Sequence, residues 1–165
     1  MLYRRPCSVK QWNEIHRCSI RTYAHLWIVG PHGTGESCAA FAFAWSLDPH
    51  EWDVLWIHFS QPEDQCDCVW LEGGDKFSCV MKLGLRPSYR LETILNQTSQ
   101  QRKSIVFLDG CTTYNFCLDE VTRTCKKWQE ADKMKRSLVS VSFTRPRDCS
   151  GSRCHLIPSV AGESH

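Results

Sequence analysis

The sequence predicts an α/β fold: a mostly parallel β-sheet with helices between its strands and one inserted β-hairpin. Three observations predict it. Short apolar runs at 24–30, 53–59, 104–110 and 137–143 have the length and composition of strands buried on both faces. Helical segments lie between several of these runs, which is the βαβ pattern of a parallel sheet. Between the second and third runs, two strand-like segments flank Gly73-Gly74, a hairpin signal.

The elements follow in order. Residues 10–22 carry a faint helical period through Trp12, Ile15 and Ile20. "AHLWIVG" (24–30) is a strand stopped by glycine. Residues 36–47 read as a helix, because Ala39, Ala40, Ala42 and Ala44 favour it and let it pack closely on a sheet. "DVLWIHF" (53–59) is the second buried strand. "CVWLEGGDKFSCVMKL" is the hairpin, and "SYRLETILNQTSQQR" (88–102) is a helix that Ser88 could cap, with Leu91, Ile94 and Leu95 as its apolar stripe. "SIVFLDG" (104–110) is the third buried strand, residues 116–132 a mixed helix, and "SLVSVSF" (137–143) the fourth strand. Residues 1–145 are expected to form the domain. Residues 146–165, rich in Ser, Gly, Pro and Arg, are expected to be a mostly irregular tail.

Composition removes some classes of function. A net charge of +2 over 165 residues gives no strong electrostatic case for nucleic acid. The longest apolar stretch, "CAAFAFAW", is too short to span a bilayer, so no membrane is expected as partner. The chain does not begin with the apolar core of a signal peptide. Eleven cysteines, an odd number, in a chain with this many core runs read as mostly reduced thiols of an intracellular site of action, with Cys38 and Cys79 in core positions. The "CDC" at 66–68 has one residue between its cysteines, where structural zinc prefers two. His25 and His58, in or beside buried strands, read as packed or hydrogen-bonded rather than catalytic. Most of the seven tryptophans are expected to be core or half-buried.

One stretch carries chemistry. "GPHGTGES" has the layout of a phosphate-binding loop, G-x-x-x-x-G-K-[ST], with glutamate in place of lysine. After a buried strand and before a helix, backbone N–H groups and the helix N-terminus can cradle phosphate. The candidate nucleotide-binding residues are Gly30, Pro31, His32, Gly33, Thr34, Gly35, Glu36, Ser37 and Cys38. Ser37 would ligate Mg2+ through its hydroxyl. Asp109, ending "SIVFLD", has the form of the acid that supports that metal from an adjacent strand. Ser142, near the end of the fourth strand, could sense the terminal phosphate, and Arg145 and Arg147 could reach it. Glu36 reverses the charge that normally contacts the β- and γ-phosphates. Many P-loop ATPases place a glutamate directly after the metal-site acid to polarise water; here Gly110 follows, with Asp119 and Glu120 as distant substitutes.

Together "RRPCSVKQW", "LWIVGPHGTGES", "WDVLWIHF", "VWLEGGDKFSCV" and "SIVFLDG" resemble the P-loop NTPase region of Crinkler-type effectors, which are related to retrotransposon hot spot proteins. The resemblance covers roughly residues 4–145. It implies a sheet of P-loop NTPase (STAND/AAA-like) type, ATP or GTP with Mg2+ as ligand, and a virulence effector secreted to act in host cytoplasm or nucleus. It also implies that Gly30, Gly35 and Ser37 are phosphate and magnesium residues, that Asp109 is the second metal-site acid, and that Arg5 and Pro6 lie near the base-binding end. The expected function is a degenerate module of that type, incomplete relative to the larger architecture, which binds a purine nucleotide weakly or not at all and hydrolyses it poorly. The alternatives are a non-enzymatic scaffold for a protein partner or for self-association, and an active ATPase with Arg86, Arg102 or Lys103 standing in for the lysine.

Overall fold

The computed structural model describes residues 6–22, 25–30, 35–60, 65–82, 87–97, 101–111, 116–142 and 155–158. In chain order these form α1 (Pro6–Glu14), a π-helical continuation (Ile15–Arg21), β1 (Leu26–Val29), α2 (Glu36–Trp45), β2 (Trp52–Phe59), β3 (Gln65–Glu72), β4 (Asp75–Lys82), α3 (Pro87–Asn96), β5 (Lys103–Cys111), α4 (Phe116–Ala131), β6 (Arg136–Ser142) and β7 (His155–Pro158). The strands make one sheet in the order β4-β3-β2-β5-β6-β1-β7. All pairs from β2 through β5, β6 and β1 to β7 are parallel, and the β3–β4 hairpin adds antiparallel to the other edge of β2. The α/β class, the mostly parallel sheet and the inserted hairpin are thus as the sequence predicts.

Which helix covers which face follows from the hand of the crossovers. A strand–helix–strand unit in a parallel sheet is right-handed, so reversing the direction of travel across the sheet reverses the covered face. From β1 through α2 the chain travels one way to β2; from β2 through α3 to β5, and through α4 to β6, it travels back. Accordingly α2 packs with α1 on one face, and α3 packs with α4 on the other. In β5, Ile105 and Phe107 join the core under α1 and α2, while Val106 and Leu108 join the core under α3 and α4. Both faces are buried, which is why the run reads as continuously apolar. Cys66 and Cys68 both face the α3/α4 core, their sulfurs 3.9 Å apart, as residues two apart on a strand must. Trp45 is the exposed tryptophan; Trp52, Trp56 and Trp128 are buried and Trp12, Trp27 and Trp70 half-buried.

Three expectations need correction, and one segment is more ordered than expected. Helix α3 begins at Pro87 and ends at Asn96, shorter than 88–102, so Ser88 lies inside its first turn and is not its cap. Proline at a helix start loses no hydrogen bond, because the first N–H groups have no intrahelical partner. Cys38 and Cys79 are exposed, not core residues: Cys38 sits in the first turn of α2, and Cys79 on the edge strand β4, where only Met81 is buried. The segment expected to be a mostly irregular tail contains one described strand, β7. Residues 155–158 of the supposed tail pair in parallel with β1, and the signal was missed because a four-residue strand behind a Ser/Gly/Arg segment has too few residues to show a period.

His25, just before β1, is buried, and its Nε2 lies 2.9 Å from Ser140 Oγ. Burial, helped by the charge of Lys126, pushes its imidazole down to about 3. In the unfolded chain it titrates near 6.5. Between those values the unfolded state binds a proton that the folded state refuses. The contribution is therefore intact above pH 6.5 and falls by about 1.4 kcal/mol per pH unit below it. Urea melts at pH 6.5 and 4.5 should show His25→Gln losing roughly 2–3 kcal/mol less than the unmutated chain over that interval. An identical pH dependence in both would remove His25 from the account.

Candidate functional site at the strand ends

β1 lies between β6 and β7. The chain leaves β1 toward one edge of the sheet, and leaves β6 toward the other. Such a reversal marks the place, beyond the carboxyl ends of the strands, where open α/β sheets take ligands.

Strand ends bring the candidate residues together there. Gly30 N–H, just past β1, donates to the Ser142 carbonyl at the end of β6 (3.2 Å). Gly35 has a left-handed backbone (φ 88°) and turns the chain into α2, where its carbonyl accepts from Ala39 N–H (2.9 Å). An L side chain would be strained at that φ, which is the physical reason for glycine there. Helix α2 then begins at Glu36, so Ser37 stands in its first turn. Ser37 Oγ donates to Asp109 Oδ1 at 2.6 Å, across 72 residues of sequence. Asp109 is buried near the end of β5.

The second oxygen of Asp109 accepts from His58 Nδ1 at 2.8 Å. His58 and Asp109 are direct partners in the β2–β5 register. The hydrogen bond to Asp109 holds the His58 imidazole above its ordinary pKa against partial burial, and the charges of Asp109 and Asp67 add to it. Reading His58 as hydrogen-bonded beside a strand is correct; its place against the candidate acid was not foreseen. The legible signal was that His58 and Asp109 end two apolar runs that a parallel sheet puts side by side. The arrangement is not a nucleophilic triad, because the serine hydroxyl meets the carboxylate and not the imidazole.

Gly110 has φ 82°, and a Cβ there would stand 2.8 Å from the Phe59 carbonyl oxygen. It sits in a bulge of β5, where the register with β6 shifts between Asp109 and Cys111. The bulge ends regular pairing at Asp109. A glutamate at position 110 would meet the same obstruction.

The donor set fits magnesium. Ser37 and Asp109 offer only hard oxygens. Two cis ligands of an octahedral Mg2+ at about 2.1 Å are about 3 Å apart, and the two oxygens are already 2.6 Å apart. His58 occupies Oδ2 and so leaves Oδ1 for the hydroxyl side.

Two further features bear on the loop. Gln11 Nε2 donates to the Glu36 carbonyl (2.9 Å) and Trp12 Nε1 to the Ala39 carbonyl (2.8 Å), so α1 clasps the first turn of α2. The half-exposed Glu36 carboxylate sits on the helix N-terminus, where it interacts favourably with the dipole that would otherwise attract phosphate.

Not every candidate falls here. Pro31, His32, Gly33, Thr34, Arg5, Arg86, Arg145 and Arg147 lie outside the described residues. Arg102 and Lys103 are at the opposite end of the sheet: Lys103 and Asp109 are six residue steps apart along β5, about 20 Å. Arg102 is committed to Asp53 (2.7 Å) and Glu72 (3.2 Å), and Lys103 lies over the Trp52 ring. Neither can replace the missing lysine. Asp119 and Glu120 stand in the first turns of α4. Among the described residues, no helix is long and apolar enough to cross a membrane.

A scan against protein-family models and a search of curated proteins return no match to the chain.

Proposed function

We propose that the chain is a degenerate P-loop NTPase-fold module, similar to that of Crinkler-type effectors, whose nucleotide site is weakened by Glu36. The observation that carries this reading is the Ser37–Asp109 hydrogen bond. It joins the first turn of the helix after the glycine loop to the acid at the end of a nearby strand, at the reversal point of the sheet. Chance glycines before a helix have no reason to meet a buried acid.

In this role, backbone N–H groups at the start of α2 bind phosphate, Ser37 and Asp109 hold Mg2+, and His58 orients the carboxylate. The metal would neutralise phosphate charge when bound. Glu36 opposes the same phosphates. Hydrolysis suffers more than binding, because charge stabilisation of the transferring phosphoryl group is most of what such a site contributes.

Thermal shift with ATP tests the reading. At a ligand concentration equal to Kd the native state gains only about 0.4 kcal/mol, a rise in Tm of roughly 1–2 °C for this size. Millimolar ATP should raise Tm by no more than that, only with Mg2+, and not at all in Ser37→Ala. Robust Mg2+-dependent turnover by the unmutated chain would reject the degenerate reading.

A scaffold role is the second reading, favoured by β4. This edge strand exposes Phe77 and Val80 on opposite faces, and an edge strand is a template for pairing with another chain. Concentration-dependent assembly on size exclusion, indifferent to ATP·Mg, would favour it.

A further inference from the structure

We infer that Cys79 is a site of thiol–disulfide exchange, and that Cys68, across the hairpin, resolves the product into an intramolecular disulfide. The bridge would tie β3 to β4 through their side chains. It uses no residue of the nucleotide reading and stands or falls independently of it.

The hairpin register selects the pair. Cys68 and Cys79 are direct partners in the antiparallel β3–β4 ladder, and Met81 stands opposite Cys66. Partners share a face, so Cys79 lies on the α3/α4 side with Cys66 and Cys68. Cross-strand partners have Cα atoms about 4.5–5.5 Å apart, inside the range that a disulfide bridges. Cys66 is only a diagonal neighbour of Cys79, about 7–8 Å away, which is beyond that range. Cys66 and Cys68 are two steps apart on one strand, about 6.7 Å, at its upper limit. All three are free thiols.

Access sets the order of events. Cys79 is exposed, whereas Cys66 and Cys68 are buried. A disulfide in solution therefore meets Cys79 first. No reagent has to reach Cys68, because its target sulfur is brought to it on the neighbouring strand. The Cys66 sulfur and burial push the Cys68 thiol up, and the Cys79 sulfur adds to this. Cys68 is accordingly a reluctant nucleophile, and its step is the slower of the two.

The chemistry balances with oxidised glutathione as the incoming disulfide. Cys79 Sγ attacks one glutathione sulfur, the glutathione S–S bond breaks, and one glutathione leaves with the proton from Cys79. Cys68 Sγ then attacks Cys79 Sγ, the mixed disulfide breaks, and the second glutathione leaves with the proton from Cys68. One protein disulfide and two reduced glutathiones result, and a dithiol reductant reverses both steps.

The test incubates the full chain with oxidised glutathione, quenches with acid, alkylates the remaining thiols and maps each cysteine by mass spectrometry over time. Glutathione should appear on Cys79 and then decline as a Cys68–Cys79 disulfide grows. In Cys68→Ala the adduct on Cys79 should persist roughly tenfold longer or more. In Cys66→Ala the bridge should form as in the unmutated chain. Cys79→Ser changes an exposed side chain; it should form no bridge, and Cys68 in it should react at least roughly tenfold more slowly than Cys79 does in the unmutated chain. The time course of the unmutated chain decides the matter even where Cys68→Ala fails to fold. A Cys79 that stays free, an adduct that never gives way to the bridge, or a bridge made by Cys66 instead would overturn the proposal.

Discussion

Gly110→Ala is expected to destabilise the chain by about 2–4 kcal/mol, a fall in Tm of roughly 5–15 °C. Two costs combine. The left-handed backbone at φ 82° is strained for any side chain with a Cβ. The new Cβ would also stand 2.8 Å from the Phe59 carbonyl oxygen, which is backbone and cannot rotate away. Either the bulge of β5 or the end of β2 must move, and those two strands carry Asp109 and His58. Differential scanning calorimetry of Gly110→Ala and Gly110→Glu measures the loss. The same strain forecasts that Gly110→Glu, which places a glutamate directly after Asp109, should bring no ATP turnover. A Tm within 2 °C of the unmutated chain would mean that the turn at 110 is not built as described.

Glu36→Lys should tighten nucleotide binding by about 10- to 100-fold. A charge-assisted contact to phosphate contributes about 1.5–3 kcal/mol, and removing the carboxylate also removes a like-charge repulsion. The substitution spares the fold. Glu36 is half-exposed, and the contact that ties position 36 to α1 uses its backbone carbonyl. Some helix stability is lost, about 0.3–1 kcal/mol, because a cation replaces an anion at a helix N-terminus. Fluorescence anisotropy with a labelled ATP analogue checks the gain. Turnover should stay low, since Gly110 cannot become the water-polarising glutamate.

The sequence made the sheet legible because its central strands are buried on both faces. "SIVFLDG" and "DVLWIHF" are continuous apolar runs for that reason, and Gly73-Gly74 announced the hairpin through turn chemistry. The loop glycine, Ser37 and Asp109 were legible as types in a pattern. What pattern reading could not supply was who meets whom. His58 looked like a packed histidine, because its partner is 51 residues away and becomes a neighbour only through the β2–β5 register. Arg102 and Lys103 looked like free cations, although the start of a strand puts them at the far end of the sheet from Asp109. Cys79 reads as core from sequence because an edge strand and a central strand share residue preferences. The strand at 155–158 borrows its order from β1, which no local signal reveals.

The central claim is that the Ser37–Asp109 junction is a magnesium–nucleotide site muted by Glu36. The most direct test is calorimetric titration of ATP, with and without Mg2+, into Glu36→Lys and into Glu36→Lys combined with Asp109→Asn. The account predicts that Glu36→Lys binds ATP more tightly with Mg2+ than without, and that Asp109→Asn removes the magnesium dependence. Absence of ATP binding in a folded Glu36→Lys chain, or magnesium dependence that survives Asp109→Asn, would contradict it.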